Sequence, residues 1–222
     1  MPRPLRRSRR RREREVPVAG SRIRILEGAM KAFGQHGYND TRVEDILLEA
    51  GVSRPTFYKF FVNRDEVFDA IAESQAFSVI QSMKGAIAIA ADPLERLDKA
   101  IDAYLRWRAA IGPIGTVLIA EAMRPGSNAG QQRQAILDAV TLWFTAEASE
   151  VLGTETDPLL YVGVVAALER VSSEIDQARV GEKEIQRCKV VMMQIVLGTL
   201  SWDRDRDALM EKAIALRDRP PG

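Results

Sequence analysis

The 222-residue sequence holds one cysteine, Cys188, and one histidine, His36. A lone cysteine excludes an internal disulfide and calls for no oxidising compartment, so a reducing cytoplasm is the expected setting. A lone histidine excludes histidine-rich metal sites and makes any histidine-based triad rest on His36, whose place beside Gly37 suits a helix terminus better than a ligand or general base. Carboxylates are plentiful but scattered, so no catalytic group, metal or cofactor is expected. No apolar run reaches the roughly 20 residues that span a bilayer, and none follows the arginine-rich start as in a signal peptide, so a soluble chain with no membrane partner is expected. Runs of alternating Val, Ile and Thr that would mark strands are missing. The formal net charge is only +1, so the molecule as a whole does not advertise a polyanionic partner.

What is present is helical pattern. Hydrophobic residues make up 46% of the chain, and the length allows a sizeable core. Stretches rich in Ala, Leu, Ile, Glu and Arg carry apolar residues three and four apart, and prolines and glycines fall mostly between them, so the expected fold class is all-α. Charge is unevenly spread: Arg3, Arg6, Arg7, Arg9, Arg10, Arg11, Arg12 and Arg14 face only Glu13 and Glu15 in the first fifteen residues, which concentrates positive potential at one end. Residues 1–20 carry almost no apolar side chains and include Pro2, Pro4 and Pro17, the composition of a flexible basic arm. Such an arm either follows phosphates or a minor groove, or is a solubilising tail.

Stop and start signals divide the remainder. A first helix is expected from Ser21, through Ile25, Ala29 and Phe33, to His36-Gly37. Thr41-Arg42-Val43-Glu44 has the form of a capping box and opens a short helix with Val43, Ile46, Leu47 and Ala50 inside, stopped by Gly51. Ser53 caps a third helix, Arg54 to about Phe61, with Pro55 in its first turn. Asn63-Arg64-Asp65-Glu66 opens a long helix reaching toward Asp92. Further helices are expected from Asp92-Pro93 to Gly112-Pro113, on to Arg124-Pro125, from Ala129 to Leu152, from Asp157-Pro158 to about Val180, from Glu182 to Trp202, and from about Arg206 to Leu216.

The two short helices around Ala50-Gly51-Val52-Ser53 have the spacing of a helix-turn-helix, a unit that sets its second helix in the major groove of DNA. Such a helix needs small or polar groups at its start to reach base edges, a hydroxyl or cation for phosphate, and apolar residues behind. Arg54 can donate bidentately to guanine, Thr56 can touch a base, and Pro55 can meet a thymine methyl. Ser53, at the start of that helix, is a candidate DNA contact, and Tyr58 and Lys59, one turn later, suit phosphate. Thr41 and Arg42 begin the second helix, where amides and the helix dipole favour phosphate. Phe57 and Phe61 are expected to dock the helix on its own domain. Structural counterparts stand beside these roles: Ser53 and Thr41 as caps, Tyr58 as a packing residue, Lys59 and Arg64 as solvated charges.

The stretch Phe33-Gly34, Gly37-Tyr38, Thr41, Val43, Ile46, Ala50-Gly51-Val52-Ser53, then Arg54-Pro55-Thr56-Phe57-Tyr58-Lys59-Phe60-Phe61 and Asn63-Arg64-Asp65-Glu66-Val67 resembles the DNA-binding domain of TetR-type (TetR/AcrR) regulators over about residues 22–71. The resemblance implies a basic arm over 1–20, a three-helix DNA-binding domain over 21–71, and a larger helical ligand-binding and dimerisation domain over 72–222. It implies a ligand-responsive transcriptional regulator, not an enzyme, that is a repressor released from a double-stranded DNA operator by a small apolar or aromatic effector, and that joins the nucleoid when bound. Arg64 occupies the family's usual lysine position, which implies a phosphate contact. Phe60 stands where relatives carry His or Tyr, so a contact made there is lost. The alternative is a lipophile-binding protein without operator recognition.

The middle of the chain carries aromatic and apolar bulk, for which core packing is the plain reading. TetR-type proteins hold their inducer between such helices, and the resemblance therefore implies a pocket lined by Tyr104, Trp107, Leu118, Trp143 and Phe144. The helices expected at about 157–180 and 182–202 are apolar nearly all round, as burial on two sides requires. Paired with a twofold copy they would form a four-helix bundle and a homodimer, with Gly163, Ala166 and Gly198 allowing close approach; a monomer core is the other reading.

Overall fold

A computed structural model describes residues 18–152, 157–175 and 181–201. The described residues form helices and turns, with no strand among them: α1 (Val18–Asp40), α2 (Val43–Ala50), α3 (Arg54–Phe57), α4 (Arg64–Ile87), α5 (Pro93–Ala110), α6 (Ile114–Ala122), α7 (Asn128–Leu152), α8 (Pro158–Ser172) and α9 (Glu182–Ser201). Residues 1–17, the segment 206–216 and Trp202 lie outside the described residues.

Local chemistry sets most of these boundaries. The Asn63 side chain accepts from the Glu66 amide at 2.8 Å and that of Asp92 from the Glu95 amide at 2.9 Å, each supplying one of the acceptors that a helix start lacks. Gly51 closes α2 in the left-handed region, φ 58° and ψ 38°, where a side chain would be strained.

Four boundaries differ from the sequence expectation. The first helix already includes Val18–Gly20, so Ser21 is a buried interior residue and not a cap, and the chain breaks at Gly37 (φ 78°, ψ 174°) before a last turn to Asp40. The box that opens α2 sits one residue later: the Arg42 amide donates to the Asp45 carboxylate at 2.8 Å. Thr41 is turned inward instead, its hydroxyl 2.6 Å from the Gly37 carbonyl oxygen and 3.3 Å from that of Ala32. The third helix is only Arg54–Phe57, followed by turns that carry it to Phe61, where the amide still reaches the Phe57 carbonyl. Finally, α8 stops at Ser172, not near residue 180: the Ser172 and Ser173 hydroxyls donate back to the Glu169 and Arg170 carbonyls at 2.7 Å, competing with continued helix.

Two apolar cores result. The first joins α1–α4 around Ile25, Phe33, Ile46, Phe57 and Phe68, and it extends across residue 71 to Ile111, Ile114 and Ala129. Gly28 permits its tightest approach, because a Cβ there would lie 2.5 Å from the Ala50 amide nitrogen. A Cβ on Gly34 would lie 3.3 Å from both Pro113 and Ile114, so α1 also rests on the start of α6. The second core draws on α5, α7, α8 and α9 through Leu97, Leu105, Phe144, Tyr161, Met192 and Val196. Outside this core α8 and α9 expose Leu159, Val162, Val190 and Leu197.

Candidate nucleic-acid interface and ligand cavity

The α2–α3 unit is built from its buried side outward. Phe57 is fully buried and Phe61 nearly so, which fixes the orientation of α3 and is worth about 1.5–3 kcal/mol for a side chain of this size. The opposite side therefore faces solvent: Arg42, Ser53, Arg54, Pro55, Tyr58 and Lys59 are all exposed, and Thr56 is half-buried. Ser53 Oγ caps α3 by accepting from the Thr56 amide at 3.3 Å and lies 2.8 Å from the Thr56 hydroxyl. Tyr58 sets its ring edge-on to Phe57 and keeps about half of its surface in water.

Two arginines outside this face hold it in place. Arg24 of α1 donates from Nε and Nη2 to the Ala50 carbonyl, at 3.2 and 2.8 Å, and from Nη2 to the Gly51 carbonyl at 2.5 Å, neutralising the carbonyl end of α2. Arg64 spans to the turn between α1 and α2, donating to the carbonyls of Tyr38, Asn39 (2.9 Å) and Thr41 (2.6 Å). Its guanidinium also lies 5.0 Å from the Tyr38 ring centroid, and that of Arg124, just past α6, lies 5.4 Å from it. Tyr38 donates to Asp65 at 2.8 Å; burial, then that carboxylate, pushes the phenol above its ordinary pKa. Within the exposed face, Arg54 pairs with Glu44 of α2. The Glu44 carboxyl is held below its usual range by its own backbone amide and then by Arg54.

Behind this unit lies a cavity of about 170 Å³ between α4, α5, α6, α7 and the inner side of α8. Tyr104, Trp107, Leu118, Trp143 and Phe144 all line it. Tyr104 stacks on Trp107 with centroids 6.1 Å apart, and its hydroxyl lies 2.8 Å from Ser172 Oγ. Trp143 donates to Glu147 at 2.9 Å, and Glu147 in turn binds Arg96 at 2.7 Å. Among the described residues no group of three His, Cys, Asp or Glu side chains is placed to hold a metal ion. No helix among them is long and apolar enough to cross a membrane.

Residues 25–71 match the family described as bacterial regulatory proteins, tetR family. That part of the chain is a TetR-type DNA-binding domain. Among curated proteins, this chain is 27% identical over 94 residues to the HTH-type transcriptional activator FasR of Mycolicibacterium smegmatis, a match covering 42% of this chain and 43% of FasR. It thus spans less than half of that relative. Likeness in fold extends further. A TetR-like transcriptional regulator from Rhodococcus sp. RHA1 superposes with a TM-score of 0.69 at 17% identity over 84% of this chain and 98% of that one. The fatty acid degradation regulator FadR of Bacillus halodurans gives 0.68 at 18% identity over 79% and 94%.

Two residues expected at phosphate, Thr41 from its place at a helix start and Arg64 from the TetR resemblance, do not present their side chains for it. Thr41 is 1% exposed with its hydroxyl spent on α1 carbonyls, and the Arg64 guanidinium is folded onto three backbone carbonyls and the Tyr38 ring. Both close the seam between α1, α2 and α4. Sequence reasoning missed Arg24, whose acceptors lie 26 and 27 residues away and leave no local signal. It also missed Arg108, Arg133 and Glu169 on the cavity wall. Arg108 was within reach, because Tyr104, Trp107, Arg108 and Ile111 recur at the spacing of one helical face.

Proposed function

We propose that this chain is a ligand-responsive, DNA-binding transcriptional regulator that acts as a homodimer and, in its simplest form, represses until an effector releases it. The observation that carries this reading is the two-sidedness of α3, with Phe57 buried behind it while Arg54, Pro55, Tyr58 and Lys59 face water. Arg54, Pro55 and Thr56 then meet base edges, and Arg42, Tyr58 and Lys59 meet phosphate, with Ser53 serving as the cap that orients α3. Arg54 must leave Glu44 to reach a guanine, which makes base reading an exchange of one carboxylate partner for another acceptor pair. Residues 21–71 act as the reading unit and the remainder as the sensing and dimerising unit.

The apolar residues exposed on α8 and α9 support twofold pairing of these helices into a four-helix bundle. In the DNA-bound state the two copies of α3 sit roughly 34–36 Å apart, one turn of duplex. A small, largely apolar effector in the cavity favours a second state in which α4 swings and the spacing is lost. A preference of about 3 kcal/mol for that state changes operator affinity more than a hundredfold.

The test starts from duplexes selected out of random DNA by the full chain. Arg54→Ala and Tyr58→Ala are expected to lose the selected duplex while sedimenting as the parent dimer. Undiminished footprints from both variants would overturn the assignment of α3, and duplex binding insensitive to salt would favour a lipophile carrier. FasR bears the name of an activator, so a reporter under the selected duplex decides the direction of control.

A further inference from the structure

The exposed face of α2 and α3 is cationic, with Arg42, Arg54 and Lys59 turned to solvent, yet a carboxylate stands among them. Glu44, in the first turn of α2, pairs with Arg54, the first residue of α3. The two side chains keep 59% and 53% of their surface in water. Asp45, next to it, is spent differently: it accepts from the Arg42 amide in the box that opens α2. The start of α2 therefore does not rest on Glu44.

An ion pair this exposed adds little to stability, so the fold does not account for it. On a face that meets a polyanion it is a liability, because a carboxylate brought against phosphate or base acceptors lowers affinity unless a donor meets it. Its own backbone amide and then Arg54 hold the Glu44 carboxyl below its usual range, so it does not escape that cost by taking up a proton at neutral pH. Donors are few in the major groove: cytosine presents its N4 amino group and adenine its N6 amino group, whereas guanine and thymine present acceptors. Arginine pairs with guanine O6 and N7, and a carboxylate with cytosine N4. On one G·C pair these three groups lie side by side along the groove edge. Arg54 and Glu44 are themselves in hydrogen-bond contact, so side chains already adjacent match edge groups already adjacent.

We propose that Glu44 is a base-reading residue: when Arg54 moves to the guanine of a G·C pair, the carboxylate it leaves accepts from the N4 amino group of the paired cytosine. This rests on the reading of α3 as the helix that enters the groove, and it adds a residue of α2 to that reading. In the correct site each member of the pair exchanges its partner for a base group, and neither charge is stranded. Over a thymine or guanine edge Glu44 meets acceptors only, and the exchange fails.

The experiment takes the duplex selected by the full chain and replaces its cytosines with N4-methylcytosine, one position per half-site at a time. The methyl group takes the place of the groove-facing N–H and leaves pairing and guanine O6 and N7 intact. At one position the parent is expected to bind roughly tenfold more weakly than to the unmodified duplex. Glu44→Ala is expected to bind both alike at that position, and 7-deazaguanine opposite it, which lacks N7, is expected to weaken both proteins. Each protein serves as its own reference, so the general gain in affinity from removing a negative charge cancels. A parent indifferent to every methyl group, or a penalty that survives in Glu44→Ala, would overturn the proposal. If 7-deazaguanine still weakens the parent in either of those cases, Arg54 keeps its role and only that of Glu44 falls. If neither modification matters at any pair, the reading of α3 falls with it.

Discussion

Replacing Gly28 with alanine sets helix propensity against packing, and the structure decides which wins. Within a helix, Gly→Ala ordinarily stabilises by about 0.5–1 kcal/mol through the lost freedom of the unfolded chain. At Gly28 the new Cβ would lie 2.5 Å from the Ala50 nitrogen and 2.7 Å from both its Cα and Cβ. Carbon atoms pack at about 3.5–4.0 Å, so α1 and α2 must part by roughly 1 Å, and two of the obstructing atoms are backbone. Overpacking of this kind costs about 1–3 kcal/mol, which outweighs the propensity gain and leaves a net loss of about 1–2 kcal/mol. For a chain of this size each kcal/mol moves the melting temperature by roughly 2–4 °C. Gly85→Ala on α4, where nothing lies within 4 Å of the added carbon, is the matched control and is expected to melt slightly higher than the parent. Differential scanning calorimetry of the three proteins measures both effects. A Gly28→Ala protein that melts at or above the parent temperature would refute the close seating of α1 on α2, and with it the rigid support of α3.

Arg64→Ala is expected to lower stability by about 1–2 kcal/mol, since it strips a charged donor from three carbonyls, while leaving the salt slope of duplex binding unchanged; a slope reduced by about 0.9 would restore a phosphate contact. Burial holds the Tyr104 phenol above its ordinary pKa of 10.0, against a smaller opposing pull from Ser172. Its stabilising contribution is therefore complete below pH 10 and is lost as pH rises through the folded-state value. Urea unfolding between pH 8 and pH 11 is expected to fall off less steeply in Tyr104→Phe than in the parent, and parallel curves would count against that burial. Val162→Lys combined with Val190→Lys charges the exposed faces of α8 and α9 and is expected to yield a monomer by analytical ultracentrifugation; a persistent dimer would place the interface elsewhere.

Features governed by neighbouring residues were legible in the sequence. Ser53 with Pro55, Asn63 with Glu66, Asp92 with Glu95 and left-handed Gly51 act through hydrogen bonds and backbone preferences that span at most four positions, so their residue types announce them. That Tyr104 and Trp107 on α5 and Trp143 and Phe144 on α7 line a cavity was implied by the TetR resemblance, whereas their bulk by itself reads as core packing. Features set by chain closure were not legible. Whether Thr41 or Arg42 caps α2 depends on the carbonyls of Ala32 and Gly37, which only the broken end of α1 brings near Thr41. The role of Arg64 depends on acceptors 23 to 26 residues away. The small residues of α4 on the cavity wall, such as Ala72 and Ala76, show nothing in composition that separates them from ordinary helix.

The extension of the first core to Ile111 and Ile114 bears on how such proteins can be recombined. A reading head excised at residue 71 would carry away a hydrophobic seat shaped for the start of α6 and leave it wet. Grafting another amino-terminal domain onto the remainder of this chain would bring Pro113 and Ile114 against a foreign α1. Chimeras that exchange specificity between relatives should therefore cut so that the Gly34 contact surface and the α6 entry travel together, or else redesign both sides of that joint at once.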